Sequence, residues 1–181
     1  MAISKFTERI TNFLINRKSK ISPVNFNRAT NNMKSCLICM PASLEQVRTA
    51  SIILSDIAAT FANRKINILL TSSIDPQSHE IIKKFSSIRL GETDLDRFSL
   101  PTKEFINKIA TGGVGICIDL DPSPNFFNAV VAVRCGAEIR ASFDKGVGLP
   151  YYNLLVKSAG GSSNLKDKYS ALSTFLRNFS A

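Results

Sequence analysis

Short apolar runs alternate along the chain with longer segments in which apolar residues recur at helical spacing. The apolar runs predict five strands, over residues 36–40, 66–70, 87–90, 114–120 and 138–143. The segments between and after them predict helices over residues 43–61, 76–85, 101–110, 123–134 and 164–178. Strands that are apolar on both faces and separated by helices predict βαβ units, and therefore a parallel sheet with right-handed crossovers.

This succession predicts an α/β domain with three layers, a Rossmann-like arrangement around a five-stranded, mainly parallel sheet. In the common strand order 3-2-1-4-5, the first and fourth strands lie side by side where the direction of winding changes. Parallel sheets bind ligands beyond the carboxyl ends of their strands at this point. The segments expected to meet there are residues 41–46 and 119–125.

The first 34 residues differ from the rest of the chain. Residues 16–34 are polar and rich in Asn, which predicts a linker. Before it, apolar residues recur at helical spacing among charged ones and predict a basic amphipathic helix: Ile3, Phe6, Ile10, Phe13 and Leu14. We therefore divide the chain into helix and linker over residues 1–34 and an α/β domain over residues 35–181. Such a helix is compatible with packing on its own domain, with a partner, or with peripheral membrane contact through residues 1–20.

Charge and cysteine content narrow the functional classes. The net charge is +9, but residues 1–34 hold seven basic residues against one acidic residue, and the remainder holds sixteen against thirteen. We expect no nucleic-acid partner, because the nearly balanced domain shows no basic stripe with interleaved aromatic residues. The four cysteines predict buried thiols in a reducing compartment, and the amino terminus does not resemble a secretion signal. These features predict a cytoplasmic protein.

The first predicted loop offers two interpretations. Ser43 followed by Gln46 three residues later is the pattern of a capping box at the start of a helix. The same free amides and helix dipole are compatible with anion binding, against which Glu45 in the first turn argues.

The second predicted loop carries two carboxylates. Asp119 and Asp121 share a face of an extended strand, so they are compatible with a divalent cation. With Ser123 they resemble the nucleophile loop of haloacid-dehalogenase-type phosphatases, although no acidic pair follows. The structural alternative is that Asp121 or Ser123 caps a helix beginning at Pro124, while neighbouring amides hold Asp119.

Other catalytic motifs are missing from the sequence. The glycines at 112, 113 and 115 precede a strand, so they predict a turn and not a dinucleotide-binding loop. No phosphate-binding Walker loop, paired metal-ligand histidines or Ser/His/Asp order can be assembled. We therefore predict no catalytic residue, no bound metal and no cofactor.

Three segments carry a resemblance to a known family. Ala-Ser-Leu-Glu-Gln-Val at 42–47, Cys-Ile-Asp-Leu at 117–120 and Cys-Gly-Ala-Glu-Ile-Arg at 135–140 resemble the bacterial heptosyltransferases of lipopolysaccharide core synthesis. The similarity covers about residues 35–145 and implies the amino-terminal, acceptor-side half of a two-domain glycosyltransferase-B fold. Short bacterial proteins that carry only this half are more similar still, through residues 25–29 and 151–155.

Two departures from that family bear on activity. Its first loop carries an Asp that acts as general base, and the matching position here is Gln46, whose amide has no titratable acceptor. The chain is also too short to contain the donor-binding half that the family has.

We therefore predict a non-catalytic accessory half-domain that binds a small ligand or a protein partner. The alternatives are a small Mg-dependent hydrolase or phosphatase using Asp119 and Asp121, and a glycosyltransferase-related accessory protein of the cell envelope, peripheral to the inner membrane. The predicted ligand-binding residues are Ser43, Glu45, Gln46, Asp119, Asp121, Ser123 and Asn125.

Overall fold

A computed structural model describes residues 33–70, 74–158 and 164–179, together with Val24 and Ala29. In these residues one sheet has the strand order β3-β2-β1-β4-β5-β6, and every neighbouring pair is parallel. The strands are β1 (Ser35–Cys39), β2 (Lys65–Leu70), β3 (Ser86–Arg89), β4 (Val114–Asp119), β5 (Ile139–Phe143) and β6 (Leu154–Val156).

The predicted parallel sheet and the order of its first five strands are confirmed. The predicted strand count was wrong by one, because β6 is a three-residue run whose pattern is too short to distinguish from a loop. The predicted amphipathic helix, and the residues 25–28 used for the resemblance, lie outside the described residues.

Five α-helices surround the sheet in the described part of the chain. They are α1 (Leu44–Ala50), α2 (Leu54–Thr60), α3 (Lys103–Ala110), α4 (Phe126–Arg134) and α5 (Leu165–Phe179). The single helix predicted over 43–61 is divided by a 3-10 turn, Ser51–Ile53, where two β-branched isoleucines disfavour the α conformation. The helix predicted over 76–85 was wrong: 3-10 turns at Pro76–Ser78 and Ile82–Lys84 replace it.

Each face of the sheet packs against its own layer of helices. Cys36 and Ile38 of β1 join the apolar cluster formed with α1, α2 and α5, whereas Leu37 and Cys39 join the cluster formed with α3 and α4. Successive strand residues point to opposite faces, so a strand between two helical layers must be apolar throughout. This explains why β1 is buried at all of its positions, and the predicted three-layer architecture is confirmed.

Gly115 lies in a bulge where β4 runs beside β1. The register of the two strands shifts between Ser35 and Cys36, and Gly115 falls between their partners. A Cβ atom on Gly115 would lie 2.7 Å from Cγ and 2.9 Å from Cα of Met33. The close approach of Met33 therefore requires glycine, while Gly113, with φ +67°, makes the predicted turn before the strand.

We expect Gly115→Ala to destabilise the domain by about 1–3 kcal/mol, because the added methyl group overlaps the backbone of Met33. Gly148→Ala is the matched control, since its Cβ would meet only Leu155 Cδ1 at 3.6 Å. Urea unfolding followed by circular dichroism measures both. Equal stability of the two variants would contradict the steric role of Gly115.

Candidate functional site

The two segments predicted to meet at the carboxyl edge of the sheet do so. The amide of Leu120, just after β4, donates to the carbonyl of Cys39 at the end of β1 at 2.9 Å. Further along, the amide of Ala42 donates to Asp121 Oδ2 at 3.3 Å. The loops after β1 and β4 are therefore in contact at the switch point of the sheet.

Asp119, the last residue of β4, is fully buried at this edge. Its Oδ2 accepts from Lys145 Nζ at 2.6 Å and from the Tyr152 hydroxyl at 2.5 Å. Its Oδ1 accepts from Asn128 Nδ2 at 2.9 Å and from the Asp121 amide at 3.0 Å. Four donors of the chain itself thus occupy both oxygens of the carboxylate.

The Lys145 ammonium lies in the interior of this cluster. Its side chain is only 3% exposed. Besides Asp119, Nζ donates to the carbonyl of Asp121 at 2.8 Å, and it lies 5.4 Å from the ring centroid of Tyr152. A cation between the two aspartates would have to compete with this ammonium for the same oxygens.

The Asp121 carboxylate connects the loops after β1 and β4 through hydrogen bonds within the chain. Its Oδ1 accepts from the Ser123 amide at 3.0 Å, and its Oδ2 accepts from Asn125 Nδ2 at 2.9 Å as well as from Ala42. The predicted cap by Asp121 or Ser123 was wrong. Helix α4 begins at Phe126, and the Asn125 side chain caps it by accepting from the Asn128 amide. Asp121 is already engaged within the loop.

The residues of the first loop lie on the solvent side of this edge. The Ser43 side chain accepts from the Gln46 amide at 3.2 Å, so the predicted N-cap of α1 is confirmed. Ser43, Glu45 and Ser123 are exposed, and Gln46 is half-buried. The seven predicted residues therefore lie at one edge, with the two aspartates inside and the others at the surface.

Three members of the buried cluster were missed from the sequence. Lys145 is the second residue after β5, so the rule that parallel strands end at one edge could have placed it there. Asn128 is the third residue of α4. Tyr152 belongs to the connection between β5 and β6, and no local pattern indicates where that connection runs.

Arg140 of β5 holds the connection that carries Tyr152. Its guanidinium donates to three backbone carbonyls, with Nε 2.8 Å from the oxygen of Tyr151, Nη1 3.1 Å from that of Ala137 and Nη2 3.3 Å from that of Pro150. Its backbone amide donates to the Asn153 side chain at 2.8 Å. Arg140 is thus a positioning residue for Tyr152.

The electrostatics of the cluster follow from its burial. Burial raises the pKa of Asp119, and the Lys145 ammonium, the Tyr152 hydroxyl and the Asp121 amide oppose that rise by favouring the carboxylate. Burial and the charge of Asp119 raise the pKa of Tyr152 well above its ordinary range. Tyr152 therefore remains a protonated donor to Asp119.

Neither a clustered metal site nor a membrane span is found in the described part of the chain. Among residues 33–70, 74–158 and 164–179, no three His, Cys, Asp or Glu side chains are grouped so that they could hold a metal ion. No helix formed by the described residues is long and apolar enough to cross a bilayer. All four cysteines are free and buried, as the sequence predicts.

The fold is similar to that of solved glycosyltransferases. ADP-heptose LPS heptosyltransferase II of E. coli superposes with a TM-score of 0.58 at 14% identity, over 78% of this chain and 40% of that one. A glycosyl transferase of family 9 from Veillonella parvula DSM 2008 gives a TM-score of 0.58 at 14% identity, over 81% of this chain and 41% of that one. No protein-family model and no curated protein sequence matches the chain.

At this identity the likeness shows the fold, which is the one that the sequence resemblance implied. The chain spans about two fifths of the length of the two solved structures. The described α/β fold therefore corresponds to part of the fold of each of these two longer proteins.

Proposed function

We propose that the chain is a non-catalytic accessory domain of glycosyltransferase-like fold, which acts by binding a partner at the carboxyl edge of its sheet. The observation that carries this proposal is the internal saturation of Asp119. A general base needs a free lone pair within reach of the substrate hydroxyl. Asp119 directs both oxygens to Lys145, Tyr152, Asn128 and the Asp121 amide instead.

The first loop does not supply a base in place of Asp119. Gln46 stands where the resembled family has its catalytic Asp, and a carboxamide does not accept a proton near neutral pH. Glu45 is exposed to water in the first turn of α1, a position that favours an ordinary surface carboxylate.

The accessory role also draws on the likeness of the fold to part of a glycosyltransferase, since the chain covers 40% of the E. coli ADP-heptose LPS heptosyltransferase II. We propose that the domain acts beside a partner, as a glycosyltransferase-related accessory protein. A position peripheral to the inner membrane fits that role.

The alternative of a Mg-dependent hydrolase is disfavoured by Lys145. Its ammonium already neutralises Asp119 and engages the Asp121 carbonyl. The Asp121 carboxylate is held by Asn125 and by two backbone amides. Mg²⁺ dehydrates reluctantly and needs free oxygens in octahedral geometry, which these engaged carboxylates do not offer.

The rim of this edge indicates the chemistry of the partner. Ser43, Gln46 and Ser123 present hydroxyl and amide groups at this edge, and Glu45 adds a carboxylate. Asn125 also lies at the rim, but its side chain is engaged with Asp121 and with the Asn128 amide. Such a surface favours a partner that forms many hydrogen bonds. The polar surface of a protein or a sugar meets this requirement.

The first experiment tests for catalysis. The purified chain is incubated with ADP-heptose and a phosphorylated heptose acceptor, with E. coli heptosyltransferase II as positive control. We expect neither sugar transfer nor donor hydrolysis above the protein-free rate, with or without Mg²⁺. Transfer or hydrolysis that disappears in Asp119→Asn would overturn the proposal.

The second experiment tests for binding at the edge. Gln46→Arg/Ser123→Arg places two bulky cations on the rim. Asn107→Arg/Thr111→Arg is the control, because it places the same charge at the end of α3, before β4 and at the opposite end of the strands. We expect proteins that co-purify with the wild type and the control to be lost from the rim variant, as quantified by mass spectrometry. Identical inventories for all three chains would remove the proposed binding edge.

A further inference from the structure

Basic residues concentrate at one end of the sheet, and acidic residues are more frequent at the other end. Because the strands are parallel, the segments before β1, β2 and β3 lie at one end and the segments after them at the other. The described residues that open these strands or immediately precede them include five bases: Lys34, Arg64, Lys65, Lys83 and Lys84. We call these five residues the basic edge. At the opposite end of the sheet, the segments after β2 to β5 carry more acids than bases. The acids are Asp75, Glu92, Asp94, Asp96, Asp121 and Asp144, and the bases are Arg97 and Lys145.

The residues of the basic edge are close together and face water. Lys65 is paired in register with Ser35, which follows Lys34, and neighbouring strands are about 4.8 Å apart. Lys34, Lys65 and Lys84 are exposed. Such separations are near the screening length of about 8–10 Å at physiological salt, so the potentials of these charges add. Among the described residues, two acids lie in segments that lead into strands. Glu80 precedes β3 and has a solvent-exposed contact with Lys83, and Glu138 immediately precedes β5.

The described chain enters β1 at the same end, where Met33 packs against Gly115 immediately before the strand begins. The sequence up to residue 28 holds six basic residues against one acidic residue. The basic edge is therefore continuous along the chain with a second concentration of positive charge.

We infer that the basic edge is a docking surface for an anionic lipid bilayer; this inference rests on the peripheral position proposed above and not on the partner-binding edge. Five clustered cations attract acidic headgroups, each contributing about 1 kcal/mol near a charged membrane surface. The apolar positions Ile3, Phe6, Ile10, Phe13 and Leu14 precede this edge in the sequence, in the pattern typical of interfacial segments. A bilayer provides both the negative surface and the apolar boundary that these features match.

A nucleic acid fits the same edge less well. Single-stranded nucleic acids are bound by basic grooves in which exposed aromatic side chains stack on the bases. Among the described large apolar residues that are exposed, Phe98 is the aromatic one, and it follows β3 at the opposite end of the strands. Phe85, beside Lys84, is half-buried and packs against the core, so the basic edge offers charge with little aromatic surface for stacking.

The test compares two double variants of the full-length chain. Lys65→Gln/Lys84→Gln removes two charges from the basic edge. Lys157→Gln/Lys166→Gln removes the same charge from the other end, where Lys157 follows β6 and Lys166 opens α5. Binding is measured by flotation with phosphatidylcholine vesicles, with and without phosphatidylglycerol, over a range of salt concentrations. Urea unfolding checks that both variants fold.

We expect binding only to vesicles that contain phosphatidylglycerol, decreasing as salt rises. The basic-edge variant should partition about 30-fold more weakly than the wild type, and the control should stay within about twofold. Three results would overturn the inference: no binding to anionic vesicles, equal losses in the two variants, or tighter binding to a single-stranded oligonucleotide with the same dependence on Lys65 and Lys84.

Discussion

Replacing Lys145 with Met is expected to lower the free energy of unfolding by about 3–5 kcal/mol, because it leaves the Asp119 carboxylate buried without its counter-charge. The ammonium is 2.6 Å from Asp119 Oδ2 and is itself almost completely shielded from water. Methionine fills the volume of the lysine stem but cannot donate to Asp119 or to the Asp121 carbonyl. Urea denaturation followed by circular dichroism gives the difference directly.

Two companion variants identify the cause of this loss. Lys157→Met removes an exposed ion pair with Asp144, and we expect it to change stability by less than about 1 kcal/mol. Asp119→Leu/Lys145→Met removes both charges, and it should be more stable than Lys145→Met alone. A double variant as unstable as the single one would show that packing, and not the unpaired charge, explains the effect.

The free energy of unfolding of the Lys145→Met variant should depend on pH in a defined direction. Without Lys145 the pKa of Asp119 rises further above its unfolded value of about 3.9. The folded state then binds more protons than the unfolded state above that pH. Stability is therefore fully present below about pH 3.9 and decreases as the pH rises toward the folded pKa. The difference from the wild type should be larger at pH 7 than at pH 4, and the opposite trend would contradict an unpaired carboxylate.

Arg140→Met is expected to cost about 2–4 kcal/mol, because three backbone carbonyls lose a charged donor at once. Hydrogen–deuterium exchange should increase in the connection between β5 and β6, where Arg140 holds Pro150 and Tyr151. Arg140→Lys should recover little of the loss, since one ammonium cannot reach three carbonyls in the geometry of a guanidinium.

Arg134→Met is the control for this prediction. Arg134 is exposed, and among the described residues its guanidinium donates one hydrogen bond, to the Pro101 carbonyl at 3.4 Å. We expect its replacement to stay within about 0.5 kcal/mol of the wild type. If Arg140→Met is equally mild, the connection keeps Tyr152 in place without Arg140.

Much of the fold could be predicted because it depends on local patterns. The runs at 36–40, 66–70 and 114–120 mark strands that must be apolar on both faces, and Gly136, with φ +82°, ends α4 as its position indicates. Strand order followed from general rules of parallel sheets. The 3-10 turns at 76–84 could not be predicted, since short polar segments contain few apolar residues to establish a period.

The candidate site could also be predicted only in part from the sequence. Asp119 and Asp121 could be placed at the switch point because a strand ends there. The role of Asp119 could not be predicted, since it depends on contacts with Asn128, Lys145 and Tyr152, which lie 9 to 33 positions further along the chain. The rule for parallel strands could place Lys145 at the same edge, but it could not show that Lys145 contacts Asp119. Two carboxylates on one face of a strand are equally compatible with a metal ion and with an internal ammonium. Only the return of the chain after β5 distinguishes the two.

The sequence by itself determined the sheet and helix layers of this protein, because the spacing of apolar residues along each element depends on whether one or both of its faces are buried. The tertiary structure alone decided which charges meet. Lys145 is drawn inside to Asp119, while the bases at the starts of β1 to β3 gather at the opposite end of a domain whose total charge is nearly balanced. Electrostatic interactions depend on distance in space, and parallel strands bring together residues that are far apart in the chain.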